Sequence, residues 1–308
     1  MTHRNVASPT TCIQLRVLGI LIALVSAALS GWASVAQQRV ASAVPVEDGG
    51  TLHLLGRLLV RPLWLFAFAV NMAGFATHAW ALDRGGLLTV EPVISTTLLF
   101  ALAFGAWWAH ERLPTTVWVS SAFLVGGLAL FLVAADASGT GDDASDLRWL
   151  VAGIVIVPIV VVLALFAYRH AGPARAVAFG IVAGILFGLQ SSLLKAVTLD
   201  WGTGLIDELG SWKPWAVIIA GIGGFLMQQA AFQSGSIALS LPPTVVFPPL
   251  TAAAVAIFVL GGTINMSGLH GVAVVAAVLA IIGGQVAIAK VEAGREQAKA
   301  GGTAARAS

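Results

Sequence analysis

From residue 214 to residue 289 the chain contains no Asp, Glu, Lys or Arg. A run of that length cannot fold in water, because it has too few polar side chains to cover its own apolar surface. The solvent must be lipid. The rest of the composition agrees: 58% of residues are hydrophobic and 10% charged, with a mean hydropathy of +0.93. Soluble domains carry about 25% charge. A net charge of +2, with no basic run, gives no footprint for nucleic acid. The single Cys12 excludes an internal disulfide and a cysteine-built metal cage.

A membrane-crossing helix needs about 20 mostly apolar residues. Charge-free runs of that kind span 17–38, 62–82, 92–110, 113–135, 149–168 and 176–194. Gly235, the Pro242-Pro243 pair and the glycines from 261 to 268 divide 214–289 into three more. The expected fold is therefore all-α and polytopic, with nine transmembrane helices.

The chain also repeats itself. Gly74-Phe75, Ala81, Gly85 and Pro92 recur as Gly224-Phe225, Ala231, Gly235 and Pro242, each at a shift of 150. Ser26, Ser30 and Ser34 form a ladder that Gly180, Gly184 and Gly188 repeat at a shift of 154. Gly126-Gly127 recurs as Gly283-Gly284. Self-similarity at an offset this long signals two homologous halves rather than a solenoid. The expected organisation is a tail over 1–16, a four-helix repeat over 17–135, and a loop with a linker helix over 136–174. A second four-helix repeat over 175–290 and a disordered tail over 291–308 complete it. One odd helix between the halves turns the second upside down. Inverted repeats of this kind build secondary transporters.

Orientation follows the Lys/Arg of the connections. With the N-terminus outside, ten basic residues fall inside and six outside, and most loop acid (Asp136, Asp142, Asp143, Asp146, Asp200, Asp207, Glu208) falls outside. The expectation is a multi-pass protein of the cytoplasmic membrane with its N-terminus out and C-terminus in. Arg4, Arg16, an apolar run and Ser34-Val35-Ala36 also fit a cleavable signal peptide. The serine ladder argues that this helix is kept.

Arg61-Pro62-Leu63-Trp64, Gly74-Phe75 and Ala79-Trp80-Ala81-Leu82, echoed by Lys213-Pro214-Trp215, Gly224-Phe225 and Ala230-Ala231-Phe232, resemble the drug/metabolite transporter superfamily. Glu111-Arg112-Leu113 is similar to the Gly-Glu-Arg-Leu turn of its EamA-type members, with His110 in place of the glycine. The helix count and long first loop look more like the NIPA-type branch, which is linked to magnesium transport. The resemblance covers about residues 18–290. It implies a permease for a small metabolite or drug-like solute, or for an ion.

Polar groups in lipid need a partner or a function. Asn71 and His78 lie two helical turns apart on one face, and Gln228 and Gln229 fall at or beside the position matching His78. With Glu91 and Gln190 they are the candidates for a substrate pathway. The bland alternative is hydrogen bonding between helices. Glu91 also suits a helix N-terminus, and Lys195 can snorkel to the interface. Gln37 and Gln38 read as interfacial. Pro248-Pro249 should kink or break a helix. The Gly180, Gly184, Gly188 face admits a close neighbour, either the first helix with Ser26, Ser30 and Ser34 or a second protomer, so a homodimer stays open. Trp107-Trp108, Trp201, Trp212 and Trp215 suggest an aromatic belt.

Enzyme chemistry finds no frame. Ser234-Gly235-Ser236 lacks the G-x-S-x-G elbow. There is no phosphate loop ending in Lys-Ser/Thr, no His pair at metal-ligand spacing, and no cofactor motif. Proton coupling has two candidates, His78 and Glu91. A magnesium pathway would want more carboxylates than Glu91 provides. A non-transporting membrane scaffold is the remaining alternative.

Overall fold

A computed structural model describes residues 9–45, 50–85, 90, 93–135, 145–200, 210–259 and 268–307. Among these it is all helical. The helices are α1 (Pro9–Ser42), α2 (Gly50–Leu59), α3 (Pro62–Gly85), α4 (Thr97–Ala109), α5 (Thr115–Ala135), α6 (Asp146–Arg169), α7 (Pro173–Asp200), α8 (Lys213–Ser234), α9 (Ile237–Phe258) and α10 (Gly268–Ala307).

Seven helices among the described residues are long and apolar enough to cross a membrane: α1 and α5 through α10. The number rises to eight if α2 and α3, bent by 96° against each other, form one span. The expected nine is therefore not met. The shortfall is α4, whose 13 residues reach about 20 Å against a hydrocarbon core of about 30 Å. Its ends have local causes. Thr96 and Thr97 turn their hydroxyls onto the carbonyls of Val93 and Ile94 at 2.6 Å, holding a turn there. At the other end His110 takes φ 52°, and its N–H closes on the Ala106 and Trp107 carbonyls. That is the left-handed cap usually given to glycine.

The bend before α3 also follows from sequence. Pro62 disfavours a helical Arg61, so the chain breaks between α2 and α3. α2 itself was not expected. Leu54 and Leu58, one turn apart, are buried, while Leu52 and Val60 are 74% and 75% exposed. Arg57 donates Nε–H to His53 Nε2 at 3.0 Å along the outer face. The same helix is tied to α6 by a Thr51–Tyr168 hydroxyl pair at 2.5 Å.

Two further expectations are corrected. The four prolines Pro242, Pro243, Pro248 and Pro249 sit inside one helix, α9, which runs from Ile237 rather than starting at Pro242. α10 continues as helix to Ala307, where a disordered tail from 291 was expected. Its extension is pinned by Arg295, which meets Glu111 at 2.9 Å.

Packing relies on missing Cβ atoms. On α7, a methyl at Gly180 would lie 2.6 Å from Pro243 Cγ, one at Gly184 2.5 Å from Phe247 Cβ, and one at Gly188 2.5 Å from the Pro248 carbonyl. The glycine ladder is thus the seat of the proline-rich α9, and not of α1 and its serines. The ladder on α1 takes α3 instead: Ser26 donates Oγ–H to the Gly74 carbonyl at 2.8 Å, and Ser30 fills the space where a Gly74 side chain would be. α5 and α10 meet through Gly127, which faces Ala277 and Ile281, and Gly284, which faces Ser120 and Leu124. As one sequence number rises the other falls, so the two helices run antiparallel. α6 lies at the edge, with Leu147, Ile154 and Val162 each more than 60% exposed.

Candidate functional site

Polar side chains gather where the C-terminal end of α1 meets the C-terminal end of α8 and the start of α3. Gln229 is fully buried. Trp64 donates Nε1–H to Gln229 Oε1 at 3.0 Å, and Gln229 Nε2–H donates to Gln37 Oε1 at 2.9 Å. Gln38 Nε2 reaches the Gly235 carbonyl at 2.9 Å, and Gln233 Nε2 the carbonyls of Val44 and Pro45 at 3.1 Å. Trp64 also stacks on Phe68, and both meet the ring of Phe225 edge-on. Four glutamines and three aromatic rings therefore join elements far apart in sequence. Gln37, expected at the interface, is 1% exposed, because it is drawn in to satisfy Gln229.

The expected pathway residues fall at different places along the described helices. Gln229 is in the cluster, whereas Gln228, turned about 100° away on the same helix, is half-buried beside it. Asn71 and His78 are half-buried on α3. His78 is separated from Trp64 by fourteen residues of helix, about 21 Å, and so lies toward the other end of the bundle. Gln190 packs its amide against Gly221 of α8, the position that matches Asn71 at the shift of 150. Glu91 lies outside the described residues, as do Pro92, Trp201 and the side chain of Lys195. Trp107, Trp212 and Trp215 are exposed, as a belt requires, but Trp108 stacks on Trp32 beneath the Arg39 guanidinium, 5.1 Å from its ring.

Sequence reasoning missed a second polar locus. Ser121 Oγ and both amide atoms of Gln285 are buried with no hydrogen-bond partner among the described residues. Ser121 is on α5 and Gln285 on α10, each one residue past the Ser120–Gly284 contact. A polar residue inside each otherwise apolar helix was visible. That the two helices pair was visible only as the repeated glycine doublets.

The chain is a multi-pass helical membrane protein. An uncharacterized protein of Corynebacterium glutamicum is similar to it, 27% identical over 280 residues, covering 90% of this chain and 96% of its own length. That likeness takes in both halves of the chain. No family model matches, and no solved structure matches.

Proposed function

We propose that the protein is a secondary transporter, moving a small solute across the cytoplasmic membrane by alternating access between two inverted four-helix repeats. The observation that carries this reading is the reciprocity of the α5–α10 crossing. At a shift of 157, Gly127 corresponds to Gly284, Ser120 to Ala277 and Leu124 to Ile281. Gly127 meets Ala277 and Ile281, while Gly284 meets Ser120 and Leu124. Such swapped pairs are the mark of a two-fold axis. Between antiparallel helices that axis is perpendicular to them, and so lies in the membrane plane.

Other pairs support the same duplication. Gly74 packs on Leu29 and Ser30, and Gly224 on Ala183 and Phe187; Leu29 and Ala183 match at 154. Gly31 packs on Thr97 and Ala101, and the α7 ladder on Phe247 and Thr251, which match Thr97 and Ala101 at 150.

One break in the symmetry bears on transport. α1 packs on α8 through the glutamine cluster, but among the described residues the counterpart pair, α7 and α3, makes no comparable contact. Equivalent positions differ accordingly. Gln37 and Gln229 are buried, while Ser191 and Ala79 are exposed, and Phe75 is 67% exposed where Phe225 is enclosed by aromatic rings. This favours a state latched at the Gln37 end and parted at the other. Exchanging the roles of the two repeats generates the opposite state, which is the content of alternating access. With α1 running inward, the latch is the inner gate.

The test is flux into proteoliposomes with the gate tied shut. In a Cys12→Ser background, Gln38→Cys and Gln233→Cys are joined by a short reducible bifunctional thiol reagent. Flux should stop on joining and return on reduction. Flux that continues unchanged in fully joined protein would remove the gate, and folded protein that moves no solute, with or without a pH gradient, would remove the transporter.

A further inference from the structure

Many helical hydroxyls of this chain turn back onto their own helix, while the buried Ser26 instead bonds the Gly74 carbonyl of a neighbouring helix. Thr77 donates to the Ala73 carbonyl at 2.6 Å, Ser192 to Gly188 at 2.9 Å, Ser234 to Ala230 at 2.6 Å, Ser240 to Ser236 at 3.0 Å and Thr244 to Ser240 at 2.9 Å. Bonding the carbonyl four residues back is the usual refuge of a helical hydroxyl in an apolar setting. Ser121 departs from this pattern. It is 0% exposed, and its Oγ has no partner among the described residues. Gln285 departs further, with both ends of its amide buried and unpartnered.

The two residues occupy related places. Each follows a member of the Ser120–Gly284 contact by one position. On antiparallel helices the next residue of each turns toward the same flank of the pair, so Ser121 and Gln285 share a side. They also share a depth, about one helical turn, or roughly 5 Å, from the centre of the crossing at Leu124 and Ile281. That places three unsatisfied polar atoms close to the midplane and beside the axis relating the repeats, where solute sites of inverted-repeat transporters lie.

We infer that Ser121 and Gln285 form a binding site for a small uncharged solute that carries a carbonyl next to an N–H. Carboxamides, ureas and nucleobases share that edge. A glutamine amide offers an acceptor and a donor side by side in one plane, so it pairs with such an edge through two reciprocal hydrogen bonds. The Ser121 hydroxyl supplies a third. Charge is unwelcome: α5, α9, and α10 as far as Ala289 contain no Asp, Glu, Lys or Arg, so an ion here would be desolvated without a counter-charge. Binding stands on the three stranded polar atoms; their place beside the axis, and passage of the solute across the membrane, rest on the transporter reading.

The test uses full-length protein in lipid nanodiscs, followed by thermal unfolding, with uracil and acetamide as probes and tetraethylammonium and Mg²⁺ as charged controls. Uracil or acetamide should raise the melting temperature. Gln285→Leu and Ser121→Ala should each weaken that binding about tenfold or more, as the loss of one to two hydrogen bonds requires. Without any probe, Gln285→Leu should melt higher than the parent, since it removes two stranded polar atoms and fills the same space. A lower melting temperature for unliganded Gln285→Leu would mean a structural amide and overturn the site. So would the absence of any shift with either neutral probe, or a shift produced only by the charged controls. Flux of the same probes into proteoliposomes separates the two readings. Binding without flux keeps the site and sinks the transporter. Probe flux that survives both substitutions keeps the transporter and sinks the site.

Discussion

Gln229 and Gln285 are the same side chain in two opposite situations. The amide of Gln229 is spent on Trp64 and Gln37, so Gln229→Leu strands the indole N–H and a second glutamine. It should cost about 1–3 kcal/mol in unfolding measurements, whereas Gln285→Leu should cost nothing. Glycines divide in the same manner. Gly184→Ala drives a methyl to 2.5 Å from Phe247 and should destabilise by about 1–3 kcal/mol. Gly126→Ala, with nothing within 4 Å of its new methyl, should stay within about 0.5 kcal/mol of the parent. Denaturant titration of the two side by side checks both. At this scale the sequence marks which residues are polar or small in an apolar run. It does not mark which are satisfied, because Gln228 and Gln229 differ only by a rotation about the helix axis that packing alone sets.

Among the elements, the proline-rich α9 is the clearest departure from expectation. Four prolines should interrupt a helix, yet α9 is continuous against the ladder of α7. The missing Cβ atoms of Gly180, Gly184 and Gly188 accept Pro243, Phe247 and Pro248, so tertiary packing offsets the lost backbone hydrogen bonds. α2 shows the reverse, an element that hydropathy overlooks because only part of it is apolar. Leu54→Ala, at a 2% exposed position, should cost about 2–5 kcal/mol. Leu52→Ala, at 74% exposed, should leave unfolding within about 0.5 kcal/mol. If α2 did not dock on the bundle, the two variants would unfold alike. α4 and α3 were located from apolar run length, but their standing as spans was not. Cap chemistry at His110 and the break before Pro62 shorten or bend them, and neither enters a hydropathy window.

For the whole molecule, the proposed gate predicts reactivity. With Cys12 replaced, and on the proposed orientation, Ser191→Cys should react quickly with a membrane-impermeant thiol reagent applied outside, and Gln37→Cys slowly with one applied inside. Adding Gln38→Ala and Gln233→Ala, which loosens the latch, should invert that order. An unchanged order would mean that these hydrogen bonds do not set which end is open.

The residue string by itself determined that the chain is helical, that lipid is its solvent, and that its two halves share a pattern. Each of those follows from composition and spacing, which need no knowledge of what touches what. The tertiary structure decided the partner of the glycine ladder, the burial of Gln37, and the stranding of Ser121 and Gln285. A two-fold pattern in sequence is equal for both halves, and only the packing of α1 on α8 in place of α7 on α3 makes them unequal.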